Sequence, residues 1–357
     1  MLYIILALFL IIMFLTLLYI VVKFKNITYL KDLSLKSKKK YYILIIIFIL
    51  FLASFIIIDF INSFVVFFHF LIFSLFFDLV FIKKVKKNNI PLLLAILTTF
   101  AYLGYGMYSA YNVRKTTYNL STKKEVEALK IAQIADSHIG ATFDSEGFKK
   151  YIEEIALENP DLIVITGDFV DDDTSKKDMI KSCEAFKNLN LKYGIYFIFG
   201  NHDKGLLNTR DFTEEDLRKE LKKNNVIILE DEKVELGENF ILVGRQDKTV
   251  KNRKNASELI DYLDKNKYII VLDHQPNDYE SLSKSKPDLV LSGHTHGGQL
   301  IPLGKIGLLT GANDQTYGLE KRNNTNFIVS SGISNWALKF KTGTFSEYVI
   351  INIKKSK

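Results

Sequence analysis

Five short apolar runs in the last two thirds of this chain each end in a cluster of Asp, Asn or His. Leu129–Ala135 runs into Asp136-Ser137-His138, and Leu162–Ile165 runs into Gly167-Asp168-Phe169-Val170-Asp171. The third run, 194–199, ends in Gly200-Asn201-His202-Asp203, the fourth, 268–272, in Asp273-His274, and the fifth, 289–291, in Ser292-Gly293-His294-Thr295-His296-Gly297-Gly298-Gln299. Runs of this length read as buried strands, and between them lie amphipathic stretches with helical spacing, such as Phe148, Ile152 and Ile155. That alternation specifies an α/β layered domain. In open α/β sheets ligands bind beyond the carboxyl ends of the strands, so the five clusters are expected to meet in one cleft.

Any one cluster reads as a turn or a helix cap. Together they hold five of the six histidines in the chain, all but His69. Carboxylate, amide oxygen and imidazole without thiolate is a donor set for Mn, Fe or Zn, whereas calcium takes nearly all oxygen. The single cysteine, Cys183, excludes a disulfide framework and a cysteine-based metal cluster. Seven or more candidate ligands exceed what one catalytic metal with an open position uses. Two divalent metals sharing a carboxylate account for the number, and such a pair activates water for in-line displacement at phosphorus.

The first third is a different kind of sequence. Segments 1–22, 41–58, 61–82 and 90–111 are each apolar over about the 20 residues that a membrane helix needs. The connection 23–40 carries seven lysines, 83–89 carries four, and 59–63 carries none. Lysine-rich connections stay cytoplasmic, which places the catalytic part outside the cytoplasm. The net charge of +7 is thereby explained in part by topology rather than by a nucleic-acid partner. Asp59, His69 and Asp78 lie within or at the ends of spans; a transport role is the alternative they raise. The polar segment 112–128 reads as a linker.

Asp-x-His, Gly-Asp-x-x-Asp, Gly-Asn-His-Asp, a lone His before Gln-Pro and Gly-His-Thr-His, in this order, resemble the calcineurin-like metallophosphoesterases. The Gly-Gly-Gln that follows and the apolar N-terminus are similar to the membrane-anchored or exported bacterial branch. The resemblance covers about Leu129–Ile353 and implies an αββα sandwich for the domain 129–357; the all-α transmembrane region of four spans (1–111) lies outside it. The resemblance implies one metal on Asp136, His138, Asp168 and His296 and a second on Asp168, Asn201, His274 and His294. His202 would be the general acid or a transition-state donor, and Asp171 would orient its imidazole. Arg245 and Arg210 read first as solvated surface arginines, with contact to a substrate phosphate as the sharper alternative. The expected enzyme is a hydrolase of phosphate esters or anhydrides acting through metal-activated hydroxide, on a phosphodiester or lipid-linked substrate or a phosphorylated small molecule, at the lipid bilayer. A phosphomonoesterase, a nuclease, or a membrane sensor or transporter that only binds metal remain as alternatives. The soluble part lacks the aromatic and basic stripe of a nucleic-acid binder, and a binding module has no need of a general acid. Residues 336–343 match no pattern.

Overall fold

The computed structural model describes residues 11, 14–19, 22, 59–81, 90–205 and 209–356. Among them two helices are long and apolar enough to cross a membrane, α1 (Phe60–Val80) and α2 (Ile90–Tyr111). The expected spans at 1–22 and 41–58 lie largely or wholly outside the described residues, as do the connections 23–40 and 83–89. Asp59, Asp78 and His69 of this stretch each have a partner. Asp59 caps the helix by accepting the Asn62 N–H at 2.8 Å, and Asp78 accepts the Tyr19 hydroxyl at 2.6 Å. His69 Nδ1 lies 2.8 Å from Val65 O one turn back, so this histidine has the partner that the sequence did not reveal.

The chain divides into two compact units, 1–105 and 106–357. The second is built on two six-stranded sheets. One has the order β1 (Arg114–Thr122), β12 (Glu347–Lys355), β2 (Leu129–Ile134), β3 (Leu162–Ile165), β4 (Gly194–Phe197), β5 (Val226–Ile228). The other runs β10 (Gly318–Arg322), β11 (Thr325–Val329), β9 (Leu289–Ser292), β8 (Tyr268–Leu272), β7 (Phe240–Gly244), β6 (Glu232–Leu236). Alternation along each strand sorts the side chains into layers. Ile131, Val164, Leu242, Ile270 and Leu291 join in the core between the sheets. Ala132, Ile134, Ile163 and Phe197 face outward against α3 (Ser145–Leu157), α4 (Lys176–Glu184) and α5 (Glu214–Lys223). Val243, Val271 and Val290 do the same against α6 (Ala256–Ile260) and α7 (Tyr279–Ser285). The result is the helix–sheet–sheet–helix sandwich that the resemblance implied.

One assignment is corrected. Within the segment read as a linker, Arg114–Thr122 is strand β1, paired in parallel with β12 over nine residues. Its inward positions are Arg114, Thr116, Tyr118, Leu120 and Thr122, which carry too little apolar character to show as a strand pattern. The two other strands that the sequence did not reveal, β6 and β10, are also sheet edges, and their sequences are EKVEL and GLEKR. Edge strands carry charges that discourage edge-to-edge pairing, so the feature that protects them also hides them.

What positions the site is strand direction. β2, β3 and β4 are parallel neighbours in one sheet, and β8 and β9 are parallel neighbours in the other. Their carboxyl ends release all five clusters.

Candidate metal centre

The turns that leave these strands are tight. Asp136, His138, Asp168, His294 and His296 all have left-handed backbone, with φ of 52°, 35°, 52°, 71° and 48°. A non-glycine residue pays of order 1–3 kcal/mol for such a conformation, which persists only where the surroundings over-determine it. Gly167 and Gly200 allow the β3 and β4 turns to touch. A Cβ on Gly167 would lie 2.6 Å from His274 Nδ1 and 2.7 Å from Gly200 N, and one on Gly200 would strike the Asp168 carboxylate.

Three groups of convergent donors result: Asp136, His138 and His296; Asp168, His274 and His294; and His138, Asp171 and His202. Asn201 joins the second, its Oδ1 3.1 Å from His274 Nε2. Asp168 stands between the first two, with Oδ2 3.1 Å from His274 Nε2 and 3.8 Å from His138 Nε2. All nine residues singled out in the sequence for the metals and the general acid therefore come together.

The hydrogen bonds at the imidazoles fit a cation. His274 Nδ1 donates to Thr166 O at 2.8 Å, so in the neutral ring the lone pair of Nε2 points toward Asp168 Oδ2 and Asn201 Oδ1. His296 Nδ1 meets Ser334 O at 3.3 Å, and its Nε2 faces His138 Nε2 at 3.2 Å. Acceptor thus faces acceptor in both groups, which requires either extra protons or a cation. Divalent metal ions suit this thiolate-free set of imidazole and carboxylate.

Burial dominates the electrostatics and the charged neighbours set its sign residue by residue. Burial pushes Asp136 up to about 6 against the pull of His274. For Asp168 burial is overcome, chiefly by His274, and the carboxyl is held well below the usual range. Burial and the positive His274 push His294 down to about 4. His202 ends above the ordinary histidine value: burial opposes its charged form, but the hydrogen bond to Asp171 and the charge of Asp168 favour it more.

The profile of the calcineurin-like phosphoesterases matches residues 129–298. An uncharacterized metallophosphoesterase of Campylobacter jejuni is 31% identical over 291 residues, covering 77% of this chain and 74% of its own. The chain belongs to the calcineurin-like phosphoesterase family. An uncharacterized metallophosphoesterase of Bacillus subtilis is 29% identical over 271 residues, covering 72% of this chain and 97% of its own. A Danio rerio protein described as a transmembrane protein with a metallophosphoesterase domain is 25% identical over 279 residues, covering 74% and 62%. The match to the C. jejuni protein is longer than the stretch from Leu129 onward can supply, so the likeness reaches into the first third.

Around the phosphoesterase centre the structure reveals residues that the sequence left unassigned. Asp203, the last residue of Gly-Asn-His-Asp, accepts the backbone N–H groups of Asp168, Phe169 and Gly200 at 2.8 Å and of Val170 at 3.1 Å. It locks the β3 turn to the β4 turn. Burial and the Asp168 charge raise its own carboxyl to about 6. Asp171 serves two histidines, with Oδ1 3.1 Å from His202 Nδ1 and Oδ2 3.3 Å from His138 Nδ1. In 336–343, the Trp336 ring lies 5.0 Å from that of His202, centroid to centroid. Lys341 is fully buried and donates to the carbonyls of Ser331 (2.7 Å) and Ser334 (2.9 Å), the latter also the partner of His296. Burial brings its amine down to about 7, against Asp136 and Glu347.

The reading of Arg245 as a solvated arginine is corrected. Arg245 is 2% exposed and pairs with Asp273 at 2.6 Å and with Asp278 at 3.1 Å, so it is neither solvated nor free for a phosphate. Arg253 shares the same Asp273 oxygen. Both guanidinium ends of Arg210 donate to Asp203 O at 3.0 Å, which holds the His202 turn in place. A lone Arg in a sequence carries no sign of which carboxylate it meets.

Proposed function

We propose that this chain is a membrane-anchored two-metal phosphoesterase that hydrolyses a phosphate ester or phosphoanhydride, with phosphodiester and lipid-linked substrates favoured. The observation that carries the reading is the position of Asp168 Oδ2, one carboxylate oxygen facing the imidazoles of both donor groups. On this reading Asp136, His138, Asp168 and His296 hold one Mn, Fe or Zn ion, and Asp168, Asn201, His274 and His294 hold the other. When bound, such a pair supplies the Lewis acidity that activates water and offsets charge on the phosphoryl group.

The chain's own residues do the rest. Asp171 accepts from His202 Nδ1, which fixes the ring and leaves Nε2–H for the leaving-group oxygen. Burial works against the charged form of His202, but the Asp171 hydrogen bond and the Asp168 charge outweigh it, so His202 holds its proton to higher pH than an ordinary histidine, as suits a general acid. The strained turns and the Asp203 clamp hold the donors in place before substrate arrives, and preorganised groups need no rearrangement during the reaction. The lysine-rich connections 23–40 and 83–89 support a reading with four spans and the catalytic domain outside the cytoplasm.

The test is metal analysis and turnover on one preparation. The purified full chain, stripped with chelator and titrated with Mn²⁺, should bind two equivalents and recover hydrolysis of phosphodiesters. Two equivalents with no hydrolysis of any phosphomonoester, phosphodiester or pyrophosphate would make it a metal-binding module. A reporter active only outside the cytoplasm, fused after Lys357, should be active, and one inserted near Lys36 silent. The reverse pattern would place the catalytic domain inside.

A further inference from the structure

Immediately after the last metal-site motif the domain surface turns apolar. Within 300–312 the side chains of Ile301, Leu303, Ile306, Leu308 and Leu309 are exposed, Leu309 at 84%, and Lys305 is the only charged residue. A contiguous apolar surface of this kind marks a contact with a membrane or a partner.

Its anchorage tells which. Gly106, in the last two turns of the span-length helix α2, accepts the Lys341 N–H at 2.9 Å. The next residue, Thr342, donates its N–H to Gln299 O at 2.8 Å and accepts the Ile301 N–H on its hydroxyl at 3.0 Å. A Cβ on Gly106 would lie 2.7 Å from Thr342 Cγ2, so the helix end and the 341–342 segment pack closely. Two hydrogen-bonded steps thus tie the end of a membrane-length helix to the start of the exposed loop. On that helix end Met107 and Tyr108 are exposed as well, and tyrosine is enriched where membrane meets water.

Behind the loop is a cavity of about 230 Å³ lined by Thr295, Gly298, Gln299, Leu300, Leu303 and Leu338. Thr295 stands between His294 and His296. The cavity is smaller than the roughly 300–1,000 Å³ of sites that enclose whole small molecules, which suits a length of hydrocarbon better than a complete ligand.

We propose that the 300–312 loop lies in the bilayer surface and that the cavity behind it seats part of an acyl chain, so that the site takes a lipid phosphate whose headgroup reaches the metal centre. This rests on the membrane-anchored phosphoesterase reading and narrows it to one substrate class. Each methylene seated in such a cavity is worth a factor of roughly four in binding.

The experiment uses the full chain, loaded with Mn²⁺, in phosphatidylcholine nanodiscs. Dioleoyl phosphatidate and dibutyryl phosphatidate present one headgroup on long and short chains, with nitrophenyl phosphate as the water-soluble reference. The long chain should be preferred by roughly tenfold or more in kcat/KM, and Leu303→Asp should remove most of that preference. Equal kcat/KM on both chains, or a preference that Leu303→Asp leaves intact, overturns the acyl-chain assignment. Leu309→Cys carrying a nitrobenzoxadiazole label should be quenched by lipids brominated in their acyl chains; Cys183, buried, does not compete for the label. An unquenched label overturns the bilayer placement. Hydrolysis of none of the three monoesters, nor of bis(nitrophenyl) phosphate as the diester control, would count against the phosphoesterase reading, and the quenching would still decide where the loop lies.

Discussion

The two donor groups joined by Asp168 are wrapped differently. Asp136, His138 and His296 are all buried, and His296 is backed by Ser334 O, which the buried Lys341 also holds. In the other group Asp168 and His274 are buried, whereas His294 and Asn201 are partly open. The difference teaches a division of labour. On the two-metal reading the first group, with the His202 ring 5.1 Å from that of its His138, is closed in by the fold, and the second is where a substrate oxygen can enter.

The largest expected effect breaks the comparison itself. Asp168→Asn removes the charge that both groups share, so both metals should be lost and turnover should fall by roughly 10⁴-fold or more, as for residues that act as a unit. Metal analysis checks it, and two full equivalents in this variant would end the bridging role.

Next comes the acid. His202→Ala should keep both metals and lose roughly 10²–10⁴-fold on alkyl esters, far less on nitrophenyl esters, whose leaving group departs without a proton. Equal losses on both would mean that His202 stabilises the phosphoryl group instead. Asp171 holds the His202 pKa up, so Asp171→Asn should move the alkaline limb of the alkyl-ester profile to lower pH. Because Asp171 also touches His138, the same variant should loosen the first metal, an effect that His202→Ala should not produce.

The clamp sharpens the comparison further. Asp203→Asn weakens the hold on the Asp168 turn, and a loss of roughly 10–100-fold in metal affinity is expected, as for other residues behind metal ligands. Competition with a chelator should show the more open His294 group releasing its ion first; release from the buried group first would reverse the division of labour. The smallest effect on chemistry belongs to Arg245. Arg245→Met strips a buried partner from Asp273 and should cost about 3–5 kcal/mol of stability, seen in thermal melts, with metal content per folded molecule little changed.

The sequence was most legible where chemistry and strand ends coincide. His138, His274 and the His294–His296 pair follow apolar runs directly, and local spacing alone placed them at the mouth of one cleft. It was least legible where function depends on a partner distant in the chain. Asp203 shows as part of a motif, but its four N–H donors come from two separate turns. Lys341 reads as one more lysine in a basic chain until three carbonyls close over it.

By itself, then, the sequence determined the order of elements, the donor types, the family likeness and the apolar character of the first third, because all of these are carried by local composition and period. Only the tertiary structure decided which carboxylate lies between the two imidazole groups, that 114–122 is a strand, and that Arg245 belongs to an ion pair. Those are contacts between residues 28 to more than 200 positions apart in the chain, formed when parallel strands align their carboxyl ends and bury what local pattern cannot name.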